Sequence, residues 1–193
     1  LSEPLIEVDS YDSIDECSLF FTVHPEEHQS TTMEKSRTPN KIYLITVVAF
    51  MLFLPLLSFG VDYFRNDQEA IVSLLGKWFI FWAIGVRLFS AGIKQVIDPA
   101  FTAQSIFHLT DKDAFVIVKE LGFANICTGC LGIISLFIPS WRIPTAFAGS
   151  LYLGIAGINH IIKKPAGINE MIAMISDLFI AIVMAAYIIC MYN

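Results

Sequence analysis

The first 32 residues contain no lysine or arginine, although they carry eight acidic side chains (Glu3, Glu7, Asp9, Asp12, Asp15, Glu16, Glu26 and Glu27). Such a tract has too few apolar residues to fold alone. It is expected to be disordered or loosely docked, either as a native acidic tail or as an upstream extension. Met33 begins a stretch, Glu-Lys-Ser-Arg-Thr-Pro-Asn-Lys before an apolar run, that reads as a natural start. Beyond residue 32 ten acids face twelve bases, and no basic cluster is large enough to suggest a nucleic-acid partner. Only four cysteines occur, two of them inside one apolar run, so no secreted disulfide framework is present. Phosphate loops, nucleophile elbows and Ser/His/Asp arrangements are not recognisable, and the sequence names no cofactor.

What the chain has is apolar length. It is 55% hydrophobic, with a mean hydropathy of +0.65. Runs of about twenty apolar residues suffice to cross about 30 Å of hydrocarbon. Five spans are predicted, at about 42–61, 71–97, 114–138, 143–162 and 170–191. The fold class is therefore all-α: a polytopic membrane helix bundle with a four-helix core over 70–193, a first transmembrane helix at 41–62 and an acidic segment at 1–40. Short connections between the later spans require antiparallel neighbours. Asp98-Pro99 closes the second span, Thr110-x-x-Asp113 resembles a capping box for the third, and Pro139 and Pro144 bracket a turn. Lys163-Lys164-Pro165 ends the fourth span. Residues 99–109, with Phe101, Ile106 and Phe107 among polar neighbours, read as a short interfacial helix.

Basic residues set the orientation. With the start of the first span inside, Lys35, Arg37, Lys41, Lys94, Lys112, Lys163 and Lys164 lie inside, against Arg65 and Arg142 outside. This puts the N-terminus in the cytoplasm and the C-terminus outside a plasma membrane. Trp78, Trp82 and Trp141 then belong to an outer aromatic belt, toward which Lys77 can snorkel. The first span has a rival reading as a cleaved signal peptide, with small residues at Ser58 and Gly60; a four-helix core starting near Val61 would remain.

Charged residues inside the spans are the informative feature. At about 1.5 Å per residue, Arg87 lies about 15 Å from the inner end of its span, Asp177 about 12 Å and Glu120 about 9 Å, with Asn159 and His160 within about 5 Å. Arg87 and Lys94 are seven residues apart and share a helix face, as do Glu170 and Asp177, and Glu120 and Cys127. Charge at such depth is costly unless paired, so Arg87 is expected to pair with Asp177, and Glu120 to be a second partner or competitor. The outer half is expected to hold little of comparable polarity. Three readings stay open: an ion pair that fixes helix register, a polar inner-leaflet pocket that binds or helps transport a small molecule or ion, or a proton or redox role. In the second, Arg87, Lys94, Gln95, Glu120, Asn125, Asn159, His160, Glu170 and Asp177 form a ligand site. Arg87 would fix an anionic group or balance Asp177, Glu120 and Asp177 would bind or exchange protons, and Asn125, Asn159 and His160 would orient the ligand.

Cys127-Thr-Gly-Cys130 has the spacing of a dithiol redox pair. Its place far along an apolar span argues instead for small packing residues, in company with Gly122, Gly129 and Gly132. Ala146, Ser150 and Gly154 form a comparable small-residue stripe. His108, His160, Glu120, Glu170 and Asp177 are suitable metal ligands, but no spacing preorganises them.

Gly85-Val86-Arg87 with Ala91-Gly92 and Gln95, the run Glu120 to Asn125, Ala156-Gly157-x-x-His160, and Asn169-Glu170-x-x-Ala173-Met174-x-x-Asp177 resemble blocks of an uncharacterised bacterial inner-membrane family, over about 71–185. That family has no established activity. More distantly, the four-helix arrangement with an arginine in its first core helix is similar to DoxX-like proteins. That resemblance implies, as an alternative, an accessory subunit of a membrane redox complex. The expected partners are the lipid bilayer and either further copies of the chain or a membrane complex. A purely structural membrane role is the third alternative.

Overall fold

A computed structural model describes residues 40–65 and 69–192. The acidic segment 1–32 lies outside the described residues. The described chain is helical, without strands: α1 (Lys41–Arg65), α2 (Ile71–Ile97), the short α3 (Pro99–Ser105), α4 (Ala114–Ile134), α5 (Pro139–Lys163) and α6 (Ile168–Tyr192). Five of these, all but α3, are long and apolar enough to cross a membrane, which makes the chain a multi-pass membrane protein.

Local chemistry accounts for most helix ends. Asn40 caps α1, its Oδ1 accepting from the N–H groups of Ile42 and Tyr43. The backbone N–H of Asn40 donates to Asn169 Oδ1 at 3.0 Å, tying the start of α1 to the start of α6. Asp98 leaves helical geometry at φ −134°, because Pro99 restricts the residue before it and takes the first position of α3. α5 stops at Lys164, which lies at φ 59°. The expected capping box at Thr110 and Asp113 does not form. Asp113 occupies the cap position without a side-chain bond, and Asp111 Oδ1 accepts the Asp113 N–H at 3.0 Å in a local turn that competes with a cap. α4 also ends earlier than expected, at Ile134, since Pro139 holds Ile138 extended and the chain must turn before it.

Two antiparallel pairs make the frame. α5 packs along α6, and α2 packs along α4. The second pair is set by glycine: a Cβ added to Gly132 would lie 2.5 Å from Gly85 Cα, and one added to Gly92 would lie 2.5 Å from the Gly122 carbonyl oxygen. Backbones this close admit no side chain between them. The buried positions of α4, namely Val118, Gly122, Asn125, Gly129 and Gly132, alternate by four and three residues, one continuous stripe. α2 widens into π-type turns over Ile80–Val86, immediately before Arg87, and there Ala83, Ile84 and Gly85 are all buried. A matching π-type segment in α1, Ala49–Phe53, lies alongside; Phe50 stacks on Trp82 with ring centroids 6.0 Å apart.

The apolar core, built on Ile80, Ile84, Leu88, Leu153, Ile180 and Met184, fills the middle of the bundle. The Arg65 end of the bundle is more polar than expected. Lys77 pairs with Asp62, Trp78 Nε1 donates to Asp62 Oδ2 at 3.1 Å, and Arg142 Nη1 lies 3.0 Å from Glu69 Oε1. Lys77 is thus held by Asp62 rather than snorkelling freely. The short α1–α2 connection places their ends side by side.

Candidate functional site

Toward the Lys41 end the core gives way to a cavity of about 580 Å³. All six helices contribute to its wall. Its volume lies within the range of small-molecule pockets, about 300–1,000 Å³.

Arg87 and Asp177 line this cavity from α2 and α6. Arg87 Nη2 donates to Asp177 Oδ1 at 2.6 Å and to Ser176 Oγ at 2.9 Å. Both charged side chains are largely buried. Arg87 Nη1 is buried too, yet it has no hydrogen-bond partner among the described residues. Asp177 uses one carboxylate oxygen, Oδ1, in its bonds with Arg87 and Ser176. The pair therefore keeps one donor edge and one acceptor oxygen open, and its formal charges cancel.

A second polar feature crosses the wall as a relay. Tyr152 OH donates to Asn125 Oδ1 at 2.7 Å, and Asn125 Nδ2 donates to Gln95 Oε1 at 2.7 Å. All three residues line the cavity. Asn125 sits in the buried stripe of α4, so the glycine-led contact with α2 aims it inward.

The same contact decides the fate of Glu120, which is a correction to the sequence reading. Five residues from Asn125, it falls on the other side of α4, is exposed, and does not line the cavity. Cys127 is exposed and Cys130 half-buried on the same helix; neither lines the cavity, and both are free thiols.

At the Lys41 end, His160 lines the cavity and its Nδ1 lies 3.1 Å from Glu170 Oε1. Glu170 stands behind His160 rather than in the wall. Its Oε2 accepts the Ala166 N–H at 2.8 Å and lies 3.4 Å from His108 Nε2. Two histidines thus approach opposite oxygens of one buried carboxylate. Among the described residues no three His, Cys, Asp or Glu side chains are arranged to hold a metal ion.

Lys94 and Asn159 line the mouth. Lys94 Nζ donates to Asp98 Oδ2 at 2.6 Å, and this bond, with the lysine's charge and a backbone bond from Phe101, holds the exposed Asp98 carboxyl below its ordinary range. Of the nine expected ligand-site residues, the structure thus brings Arg87, Lys94, Gln95, Asn125, Asn159, His160 and Asp177 around one space, with Glu170 behind and Glu120 elsewhere.

Sequence reasoning missed Tyr43, Thr46 and Tyr152 as wall residues, and Ser176 as a partner of Arg87. Tyr152 had a usable signal: it precedes Ala156 and Asn159 by four and seven residues, the spacing of one helix face. Tyr43 and Thr46 had little, because the first half of α1 shows no clear polar face and its phase depends on where it docks.

The chain belongs to a family of unknown function, DUF6790, whose model matches residues 41–193. The match spans all six described helices. No curated protein and no solved structure matches the chain.

Proposed function

We propose that this protein binds a small molecule in the cavity, with the ligand's polar group against Arg87 and Asp177. The observation that carries this reading is Arg87, which lines the cavity and whose buried Nη1 has no hydrogen-bond partner among the described residues. Leaving such a donor unsatisfied costs about 1–3 kcal/mol or more, a cost that a pure register device has no reason to keep. A ligand oxygen placed there would remove it. The neighbouring relay of Tyr152, Asn125 and Gln95 would fix the ligand's orientation, and His160 and Asn159 would contact its outer part.

The protein is placed in a bacterial inner membrane, with the Lys41 end of the bundle in the cytoplasmic leaflet. The distribution of basic residues supports that orientation: Lys41, Lys94, Lys112, Lys119, Lys163 and Lys164 toward one end, against Arg65, Lys77 and Arg142 toward the other. A role in moving the ligand across the membrane would call for more than one copy of so small a bundle. The DoxX-like resemblance would instead place the chain in a redox complex; among the described residues the cavity wall contains no thiol.

The test compares small molecules extracted from the purified protein with those from Ala156→Phe, which fills the cavity, and from the paired change Arg87→Met with Asp177→Leu. A species retained by the wild type and absent from both variants, detected by mass spectrometry, is the expected result. Identical extracts from all three would remove the proposal.

A further inference from the structure

Resting on that reading, we infer that the ligand is a membrane-dissolved, single-chain amphiphile whose head is a carboxylic acid or primary amide. The head chemistry follows from what the ion pair leaves open. Among the described residues Arg87 Nη1 is a donor lacking an acceptor, and Asp177 Oδ2 is an acceptor outside the bonds that Oδ1 makes with Arg87 and Ser176. A group that accepts through C=O and donates through O–H or N–H meets both at once. An ester or ketone meets only the first.

Charge argues against a simple ion. Arg87 is answered by Asp177, and Lys94 by Asp98. Stripping water from an ion costs several kcal/mol unless a counter-charge receives it, and among the described residues that line this cavity Arg87 and Lys94 are both already paired. A neutral two-edged head carries no such penalty.

The body of the ligand follows from the rest of the wall. Leu88, Leu121, Leu153, Ile106 and Phe101 supply an apolar lining beyond the polar groups. The mouth is mixed in character: Ile42 and Phe107 are exposed there beside Lys94 and Asn159. Ile42 is one residue into α1 and Lys94 three residues from the end of α2, so this mouth sits where acyl chains meet headgroups. An amphiphile already in the membrane reaches it with its chain in hydrocarbon throughout. A water-soluble molecule would have to pass exposed apolar side chains that offer it nothing.

Binding of radiolabelled dodecanamide to the full chain in lipid nanodiscs tests the inference, with unlabelled dodecanoic acid, methyl dodecanoate and butyramide as competitors. Saturable binding is expected, displaced by dodecanoic acid and about tenfold less well by the methyl ester, the loss of one hydrogen bond to a charged group. Butyramide, which has the head without the chain, should not compete. Equal competition by the ester overturns the head assignment, and equal competition by butyramide overturns the amphiphile assignment. Leu121→Trp, which fills the apolar part of the cavity and leaves the ion pair intact, should abolish binding; Asp177→Asn should erase the preference for the neutral dodecanamide over the ester. Should Asp177→Asn fail to fold, Leu121→Trp retains the test, and unchanged binding in it overturns the inference. No binding of dodecanamide, with a different species still recovered from the wild type alone by extraction, overturns this inference and leaves the proposed function standing. No binding together with identical extracts removes both.

Discussion

Arg87 Nη2 and Asp177 Oδ1 lie 2.6 Å apart across two helices, 90 residues distant in the chain. Around them the bundle places a hydroxyl, Ser176 Oγ, and among the described residues that line the cavity no second carboxylate. Each charge therefore depends on the other. Asp177→Leu alone is expected to destabilise the protein by about 3–5 kcal/mol, because it leaves a cation uncompensated in an apolar bundle. Adding Arg87→Met should recover most of that loss. Denaturant unfolding in mild detergent measures both, and a double variant no better than the single one would refute the coupling.

The α2–α4 contact makes a second prediction. A Cβ on Gly129 would lie 2.5 Å from the Phe89 backbone nitrogen, whereas one on Gly60 would have nothing within 4 Å. Gly129→Ala should cost about 1–3 kcal/mol, since backbone cannot swing aside as a side chain can. Gly60→Ala, in the helix interior of α1, should be neutral or stabilising by less than about 1 kcal/mol. Thermal unfolding of the two variants side by side decides this, and equal effects would contradict the packing described.

Asn125 serves two partners at once, accepting from Tyr152 and donating to Gln95. Asn125→Leu removes both bonds and strands two polar groups, with an expected cost of about 1–3 kcal/mol. Adding Tyr152→Phe should be nearly free in that background, because the tyrosine hydroxyl has already lost its acceptor. Additive losses in the double variant would show that the two residues act independently.

Glu69 lies between α1 and α2, outside the spans. Its partial burial pushes the carboxyl up, but hydrogen bonds from Ser73 and Arg142 and the charges of Arg142 and Lys77 outweigh that, so it ionises below its ordinary value of 4.5. A carboxylate with a depressed folded-state value contributes stability that is complete above the unfolded-state value and fades as pH falls through the folded one. Wild type should therefore lose stability relative to Glu69→Gln on acidification from about pH 4.5 downward, and hold a constant advantage above it. Melting temperatures measured across that range check the sign; a difference that grows toward low pH would be wrong for this mechanism.

Glu120 and Glu170 separate exposure from burial. Glu120→Gln changes an exposed side chain and should move stability by no more than about 0.5 kcal/mol. Glu170→Ala removes the acceptor shared by His160 and the Ala166 N–H and should cost about 1–3 kcal/mol. Matching losses for the two would mean that Glu120 has a structural role its position does not suggest.

Much of this was legible in the residues themselves. Apolar length fixed the five spans, because crossing hydrocarbon demands about twenty apolar residues whatever the neighbours are. Pro99 and Pro165 fixed helix ends through backbone geometry alone. The seven-residue spacings from Arg87 to Lys94 and from Glu170 to Asp177 put each pair on one face, since they lie within single unbroken stretches of α-helix.

Which face turned inward was decided only by tertiary packing. α4 offers a Glu120 face and a Gly122–Asn125–Gly129 face, and the absence of side chains on Gly85, Gly92, Gly122, Gly129 and Gly132 lets α2 approach the second so closely that the first is forced outward. The same closeness brings Asn125 to Gln95. The first half of α1, without a clear polar face, carried little mark of its phase until Asn40 met Asn169 and Phe50 met Trp82. Spacing along a helix is a property of one chain segment; the direction a face points is a property of two, and it is settled by whichever contact gains most from closing.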